Sequence, residues 1–165
     1  MLQIVSEVKD DEMIEEVSRA LQEVYGLKVV SSWIKLEGAE RYYNKRRAQY
    51  HAGGITSILG AEKDKLTLII TGRDLYIPGL NYVFGYAPGG VGVVSTRRLD
   101  PRFYGGSYDR RLFLERVVKE AVHEVGHLKG LSHCPNPDCV MHFSNNILDT
   151  DRKSYIPCGD CRKRL

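Results

Sequence analysis

One stretch constrains this chain more than any other: His123-Glu124-Val125-Gly126-His127-Leu128-Lys129-Gly130-Leu131-Ser132-His133, an H-E-x-x-H-x-x-G-x-x-H pattern. On a helix, His123 and His127 lie one turn apart, roughly 6 Å along the axis, and project from one face. Two neutral imidazoles so placed can share one zinc ion. Glu124 is offset from the pair and can reach a water at the metal without ligating it. Gly130 reads as the helix stop, because glycine turns the chain through positive φ without strain. That turn can bring His133 back as a third ligand. Three protein ligands leave a fourth position open, as a catalytic zinc requires. A bare H-E-x-x-H is often just a pair of solvent-facing histidines. Gly130 and His133 at these offsets, with three of the five histidines inside one stretch, argue against coincidence.

All four cysteines follow the histidine motif, as Cys134-x4-Cys139 and Cys158-x2-Cys161. Disulfides or inert buried thiols are the competing readings. Residues 1–10 turn charged too soon for a secretory h-region, so a cytoplasmic, reducing compartment is expected and structural disulfides are not. Two close pairs separated by a short loop suit a four-thiolate structural zinc held by Cys134, Cys139, Cys158 and Cys161. The expected cofactors are therefore two Zn²⁺ per chain, one catalytic and one structural.

The 165 residues suit a single domain, with 1–130 a sheet-and-helix part and 131–165 a C-terminal segment. A net charge of +3 is too mild to imply nucleic acid, and no apolar run approaches a bilayer-spanning length. No nucleic-acid or membrane partner is expected, and a monomer is the default.

Leu2 to Val8 alternates like a first strand. Asp10 and Asp11 open a helix that Gly26 stops, and Leu27 to Leu36 reads as a second strand, giving a parallel crossover. Arg41, Lys45, Arg46 and Arg47 interleave with Tyr42, Tyr43 and Tyr50. That mixture can bind single-stranded nucleic acid, but a solvated face over packed tyrosines is the commoner outcome. Gln49 to Ala61 is read as a helix weakened by Gly53-Gly54, and His51 as a surface or packed histidine. Leu66 to Ile70 is a buried strand, Arg73 to Asn81 a loop, Asn81 to Tyr86 a short aromatic strand and Val91 to Thr96 the last strand. A long helix spans Tyr108 to Lys129, its histidines at the edge of an apolar face. Beyond Gly130, little regular structure and a small core held by metal are expected.

The run from His123 through Cys134, Cys139 and Met141 to Cys158 and Cys161 resembles the archaemetzincins, metzincin-like zinc peptidases with the signature H-E-x-x-H-x-x-G-x-x-H-C-x4-C-x-M followed by C-x-x-C. The Asp74 to Gly85 stretch is also similar to that family. The resemblance implies an α/β (α+β) fold: a mixed, twisted five-stranded sheet with an antiparallel edge strand, a long active-site helix and a C-terminal zinc-knuckle segment. It implies that His123, His127 and His133 hold the catalytic zinc, that Glu124 is the general base, and that Met141 is the Met-turn methionine. It also implies that Asn81, Tyr82, Val83, Phe84, Gly85 and Tyr86 form the edge strand, binding extended peptide through main-chain hydrogen bonds. Phe143 stands where some metzincins carry a tyrosine, so no phenol serves the oxyanion from there.

The expected function is zinc-dependent hydrolysis of peptide bonds by a zinc-activated water, with a peptide or protein as substrate. Two alternatives stand beside it. A metal-dependent endoribonuclease family has a similar H-x-x-x-H-x-x-G-x-x-H site, but lacks the glutamate and the cysteine pairs. A non-catalytic zinc protein can bind peptides on the same edge strand.

Overall fold

The computed structural model describes Met1–Leu165. In chain order its elements are β1 (Leu2–Ser6), α1 (Asp11–Tyr25), β2 (Val29–Trp33), β3 (Tyr43–Asn44), β4 (Gln49–His51), α2 (Ala52–Ile58), β5 (Leu66–Thr71), β6 (Leu75–Tyr76), β7 (Gly85–Tyr86), β8 (Val91–Ser95), α3 (Arg110–Leu128), α4 (Ile147–Arg152) and α5 (Gly159–Arg162). The Asp10 carboxylate accepts the Met13 N–H at 3.0 Å and starts α1, and Gly26 ends it at φ 64°.

The main sheet is mixed and five-stranded, in the order β2-β1-β5-β8-β7. β2, β1, β5 and β8 are parallel, and β7 alone runs antiparallel as an edge. Strand alternation divides the core. Leu68 and Ile70 of β5, with Leu2, Ile4 and Val94, meet Met13, Val17 and Leu21 of α1 and Val117, Ala121 and Val125 of α3. Ile69, Val91 and Val93 face the other way, onto Ala52 and Ile55 of α2. Both faces are covered, which explains why β5 and β8 are buried along nearly their whole length. α3 thus lies with its apolar side on the sheet and its C-terminal half beside β7.

Four expectations change in detail. The Asn81–Tyr86 strand contributes only Gly85 and Tyr86 to the ladder, opposite Val94 and Val93. Upstream, the Leu80 and Asn81 carbonyls accept from Arg47 Nη2 at 2.6 and 3.1 Å, and Gln49 Nε2 also reaches Asn81 O at 3.0 Å. The Val83 N–H goes to Leu75 O at 3.0 Å, an isolated bridge that ties the segment to a second sheet without adding a strand to it. That second sheet, β3-β4-β6, is three-stranded and lies outside the sequence expectations: it takes in part of the basic tyrosine run and part of the Arg73–Asn81 loop.

The helix expected over Gln49–Ala61 is confined to Ala52–Ile58, because Gln49–His51 is drawn into the second sheet. His51 caps α2, its Nδ1 accepting the Gly54 N–H at 3.0 Å. The segment after Gly130 is not a small separate core. Leu131, Cys139, Val140, Met141 and Cys161 are buried in the same cluster as α1, α3 and the sheet, and two short helices, α4 and α5, complete it.

Candidate metal centres and active site

The geometry begins with how α3 stops. The Leu131 N–H bonds Gly126 O at 2.9 Å and the Gly130 N–H bonds His127 O at 2.9 Å, with Gly130 at φ 95°. This is a Schellman turn, and only glycine takes its left-handed position without strain. It reverses the chain so that His133 faces the helix. It also aims the Leu131 carbonyl at His127, whose Nδ1 lies 2.8 Å away. The other helical imidazole is oriented from the opposite side, where His123 Nδ1 lies 2.7 Å from Val140 O.

A carbonyl can only accept, so both Nδ1 atoms carry hydrogen and both Nε2 atoms present bare lone pairs. Those two Nε2 atoms are 3.2 Å apart. Two acceptors at that distance repel unless a cation lies between them. His133 supplies a third ring, 5.4 and 4.7 Å from the other two by centroid, and the candidate donor atoms of all three residues lie within 4.8 Å of one another. Burial lowers the proton affinity of His123 well below its ordinary value, with Lys153 and the other imidazoles adding to it. Burial likewise lowers His127 and His133. All three are thus held in the neutral form that accepts a metal.

Glu124 stands beside this cluster. Its Oε2 is the one buried side-chain polar atom in the molecule with no hydrogen-bond partner. Such an orphan is costly unless water or an ion meets it. Burial pushes its carboxyl well above the ordinary range, Glu120 adding to the shift and Lys153 opposing it. A donor set of three neutral imidazoles with an unmet carboxylate oxygen beside it fits a zinc ion with an open position.

Two glycines make the packing possible. A Cβ on Gly85 would lie 2.7 Å from Glu124 Oε1 and 2.7 Å from Val93 O, so β7 can pass the carboxylate only without a side chain there. A Cβ on Gly126 would overlap Met141 Sδ and come within 2.8 Å of Tyr25 Oη. Met141 is fully buried directly beneath the histidine turn. In the sequence Gly85 is one residue of a strand and Gly126 an unassigned position of the motif. Neither role is visible without the contact across the fold.

The four cysteines also converge. Cys134 Sγ and Cys158 Sγ are 3.8 Å apart, as are Cys139 Sγ and Cys161 Sγ. Four sulfurs each about 2.3 Å from one zinc are separated by roughly 3.8 Å along a tetrahedron edge. None is in a disulfide. The backbone N–H groups of Cys158 and Met141 point at Cys139 Sγ from 3.2 and 3.4 Å, as suits a thiolate. The Cys161 backbone N–H leads the groups that bring the Cys158 thiol down to about 7, while burial holds Cys139 and Cys161 up. A cation among the four sulfurs would draw the raised Cys139 and Cys161 thiols into the thiolate form.

The histidine cluster adjoins a cleft of about 200 Å³ lined by Ile77, Val83, Gly85, Tyr86, Glu124 and Phe143, with all three histidines in its wall. A larger depression of about 730 Å³ lies at the carboxyl ends of β1, β5 and β8, but its Asp10–Arg110 and Asp100–Arg102 pairs neutralise one another and none of the candidate donors reaches it. The Asn81 and Tyr82 side of the expected edge strand is not in the cleft lining. In the basic segment Tyr42 and Tyr50 pack against the second core cluster, and Arg47 lies over the Tyr76 ring at 4.1 Å.

The chain matches the family model "Peptidase family M54" over residues 2–165. It is 46% identical over 146 residues to the archaemetzincin of Pyrococcus furiosus, spanning 85% of this chain and 76% of that protein. The crystal structure of the Archaeoglobus fulgidus archaemetzincin, complexed with malonate, superposes with a TM-score of 0.85 at 36% identity, covering 99% of each chain. The zinc-dependent peptidase of Methanocorpusculum labreanum superposes with a TM-score of 0.85 at 29% identity, again over 99% of each chain.

Proposed function

The chain belongs to peptidase family M54, the archaemetzincins, and is a zinc-dependent metallopeptidase acting on peptides or proteins; from that premise we propose that His123, His127 and His133 hold its catalytic zinc, that Glu124 is the general base, and that Cys134, Cys139, Cys158 and Cys161 hold a second, structural zinc. The observation that carries the assignment is the 3.2 Å approach of two Nε2 lone pairs whose Nδ1 partners are both carbonyls, next to the orphaned Glu124 Oε2. Zinc, when bound, polarises a scissile carbonyl and acidifies water.

The remaining chemistry falls to the chain's own groups. Glu124, made more basic by burial, takes the proton of the attacking water and returns it to the leaving amine. β7 has an unpaired outer edge, and the Gly85 and Tyr86 main chain there can add an extended substrate strand. Asn81 to Phe84 support that rim rather than extend it, since their carbonyls and N–H groups are largely spoken for. Phe143 packs against the His133 ring at 5.2 Å and shapes the cleft without offering a proton. Met141 is the apolar floor beneath the histidines.

The span of the family match supports one catalytic domain over 1–165, with 1–130 supplying sheet and helix and 131–165 the third histidine, Met141 and the thiolates. Four unpaired thiols around one point support a reducing compartment such as the cytoplasm. No helix is long and apolar enough to cross a membrane. The endoribonuclease and the non-catalytic readings are not favoured, given the family and the glutamate in place beside the histidines.

The test is Glu124→Gln, assayed for metal content and for cleavage of a mixed peptide library. Zinc should stay at wild-type level while hydrolysis disappears. A variant that cleaves as fast as the parent removes Glu124 from the mechanism.

A further inference from the structure

Lys153 is the largest fully buried side chain in the molecule, with none of its surface exposed. Its ammonium lies 3.2 Å from Glu120 Oε1 and donates to His142 O at 3.1 Å. The Thr150 hydroxyl lies 3.0 Å from both Glu120 Oε1 and Ser144 Oγ. Glu120 sits one turn before His123 and Glu124 on α3. His142 immediately follows Met141. The pair therefore ties the catalytic helix to the turn beneath it.

Its neighbours extend the tie. Arg116, one turn earlier on α3, forms a bidentate pair with Asp151 at 2.8 Å through both nitrogens and also reaches Leu99 O at 3.1 Å. Lys119 donates to the carbonyls of Thr150 and Asp151, both at 3.1 Å. Residues 116, 119, 120, 123, 124 and 127 follow i, i+3, i+4, i+7, i+8, i+11 spacing and make one polar stripe on an apolar helix. Its upper half carries the candidate site. Its lower half grips α4.

Stability alone does not account for this. Desolvating an ammonium and a carboxylate is expensive, and replacing a buried ion pair by well-packed apolar residues of similar size is often neutral or stabilising. The contacts say what else the pair does. Met141 is flanked by two carbonyls, and each is held: Val140 O by His123 Nδ1 and His142 O by Lys153 Nζ. Releasing His142 O frees the turn that presents Val140 O to His123.

We infer that the buried Lys153–Glu120 pair is a positioning device for the histidine site, anchoring the turn around Met141 to α3 so that Val140 O keeps the His123 ring aimed at the metal. This rests on the three-histidine zinc assignment above. Groups that orient a ligating histidine typically change metal affinity or activity by about 10–100-fold when removed.

Two variants separate positioning from mere stability. Lys153→Met removes the donor and strands the Glu120 charge. Lys153→Met with Glu120→Gln removes both charges, and the carboxamide oxygen introduced by Glu120→Gln can still accept from the Thr150 hydroxyl. Three quantities are read: thermal midpoint, zinc affinity of the histidine site by chelator competition, and kcat and KM on a cleaved peptide. The single variant should lose both stability and zinc affinity. The double variant should regain most of the thermal midpoint, yet still bind zinc about tenfold or more weakly, with the loss in kcat rather than KM. A double variant with parental zinc affinity and kcat overturns the inference and leaves the pair a feature of stability. A parent protein that holds no zinc at its histidines overturns the assignment beneath it, which is a different result.

Discussion

The histidine cluster and the cysteine cluster are neighbours in the chain and opposites in construction. In each, the donor atoms lie within 4.8 Å of one another. Two of the three imidazoles ride on a 19-residue helix packed against the sheet, and only His133 comes from a loop. The four thiols come from loop and from the four-residue α5. The histidine set keeps an open side with an orphaned carboxylate oxygen, whereas the thiol set closes on itself and takes N–H donors from its own backbone. A rigid helix lets a site stay open without collapsing. A site built from loops has to be closed by its ligands. The two meet at His133-Cys134 and again at Cys139-Met141, where Cys134 N–H bonds Met141 O at 2.9 Å. The open cluster thereby borrows a loop that the closed one also uses.

That contrast can be broken in several places. The largest effect should come from Glu124→Gln, lowering turnover about 10²–10⁴-fold, the ordinary worth of a positioned general base, with metal content unchanged from the parent. Metal analysis beside peptide cleavage reads it. A fall of roughly 10²-fold in kcat is expected for Gly85→Ala, because the new methyl displaces the Glu124 carboxylate and meets none of the thiols. Steady-state kinetics with a control on thiol-bound zinc will show whether the damage stays on one side.

Cys161→Ser tests the borrowing directly. It should empty the thiol cluster and weaken zinc at the histidines by about tenfold. Chelator competition at the histidine site that matches the parent would mean the two clusters are independent. Gly126→Ala pushes on Met141 from above and should cost about 1–3 kcal/mol in thermal or denaturant unfolding, the usual scale for overpacking a filled core.

The smallest effect lies away from both clusters and serves as a baseline. The Arg110 guanidinium beside Asp10 leads the groups holding its carboxyl below the ordinary 3.8, despite some burial. A depressed carboxylate stabilises the fold above its unfolded-state pKa and loses that contribution as pH falls through its folded value. Asp10→Asn should therefore lose up to about 1 kcal/mol at neutral pH, since Arg110 is largely solvated, and should flatten the decline in stability below about pH 3.8. Acid titration by circular dichroism reads the difference, and an unchanged curve removes the pair from acid stability.

Much of the site is legible in the sequence because helix geometry is local. Four-residue spacing puts His123 and His127 on one face wherever that helix goes, and Gly130 stops it by its own backbone freedom. The cysteine spacings carry the same kind of information. The unbroken apolar run of Leu68, Ile69 and Ile70 marks β5 as a strand covered on both faces for the same reason. The edge strand is where local pattern says too much. The aromatic residues from Asn81 to Tyr86 are compatible with a strand, yet Arg47 and Gln49, more than thirty residues upstream, claim the carbonyls of Leu80 and Asn81.

What the sequence determined by itself was which side chains carry donor atoms, and that local turns bring them to one face. What only the tertiary structure decided was everything set by contact between distant segments: the second sheet, the absence of room at Gly85 and Gly126, and the burial of Lys153 against Glu120. Periodicity follows from bond geometry within a few residues and can be read directly. A steric gap, or an ion pair between residues far apart in the chain, depends on how the whole molecule closes, and no short window of sequence contains it.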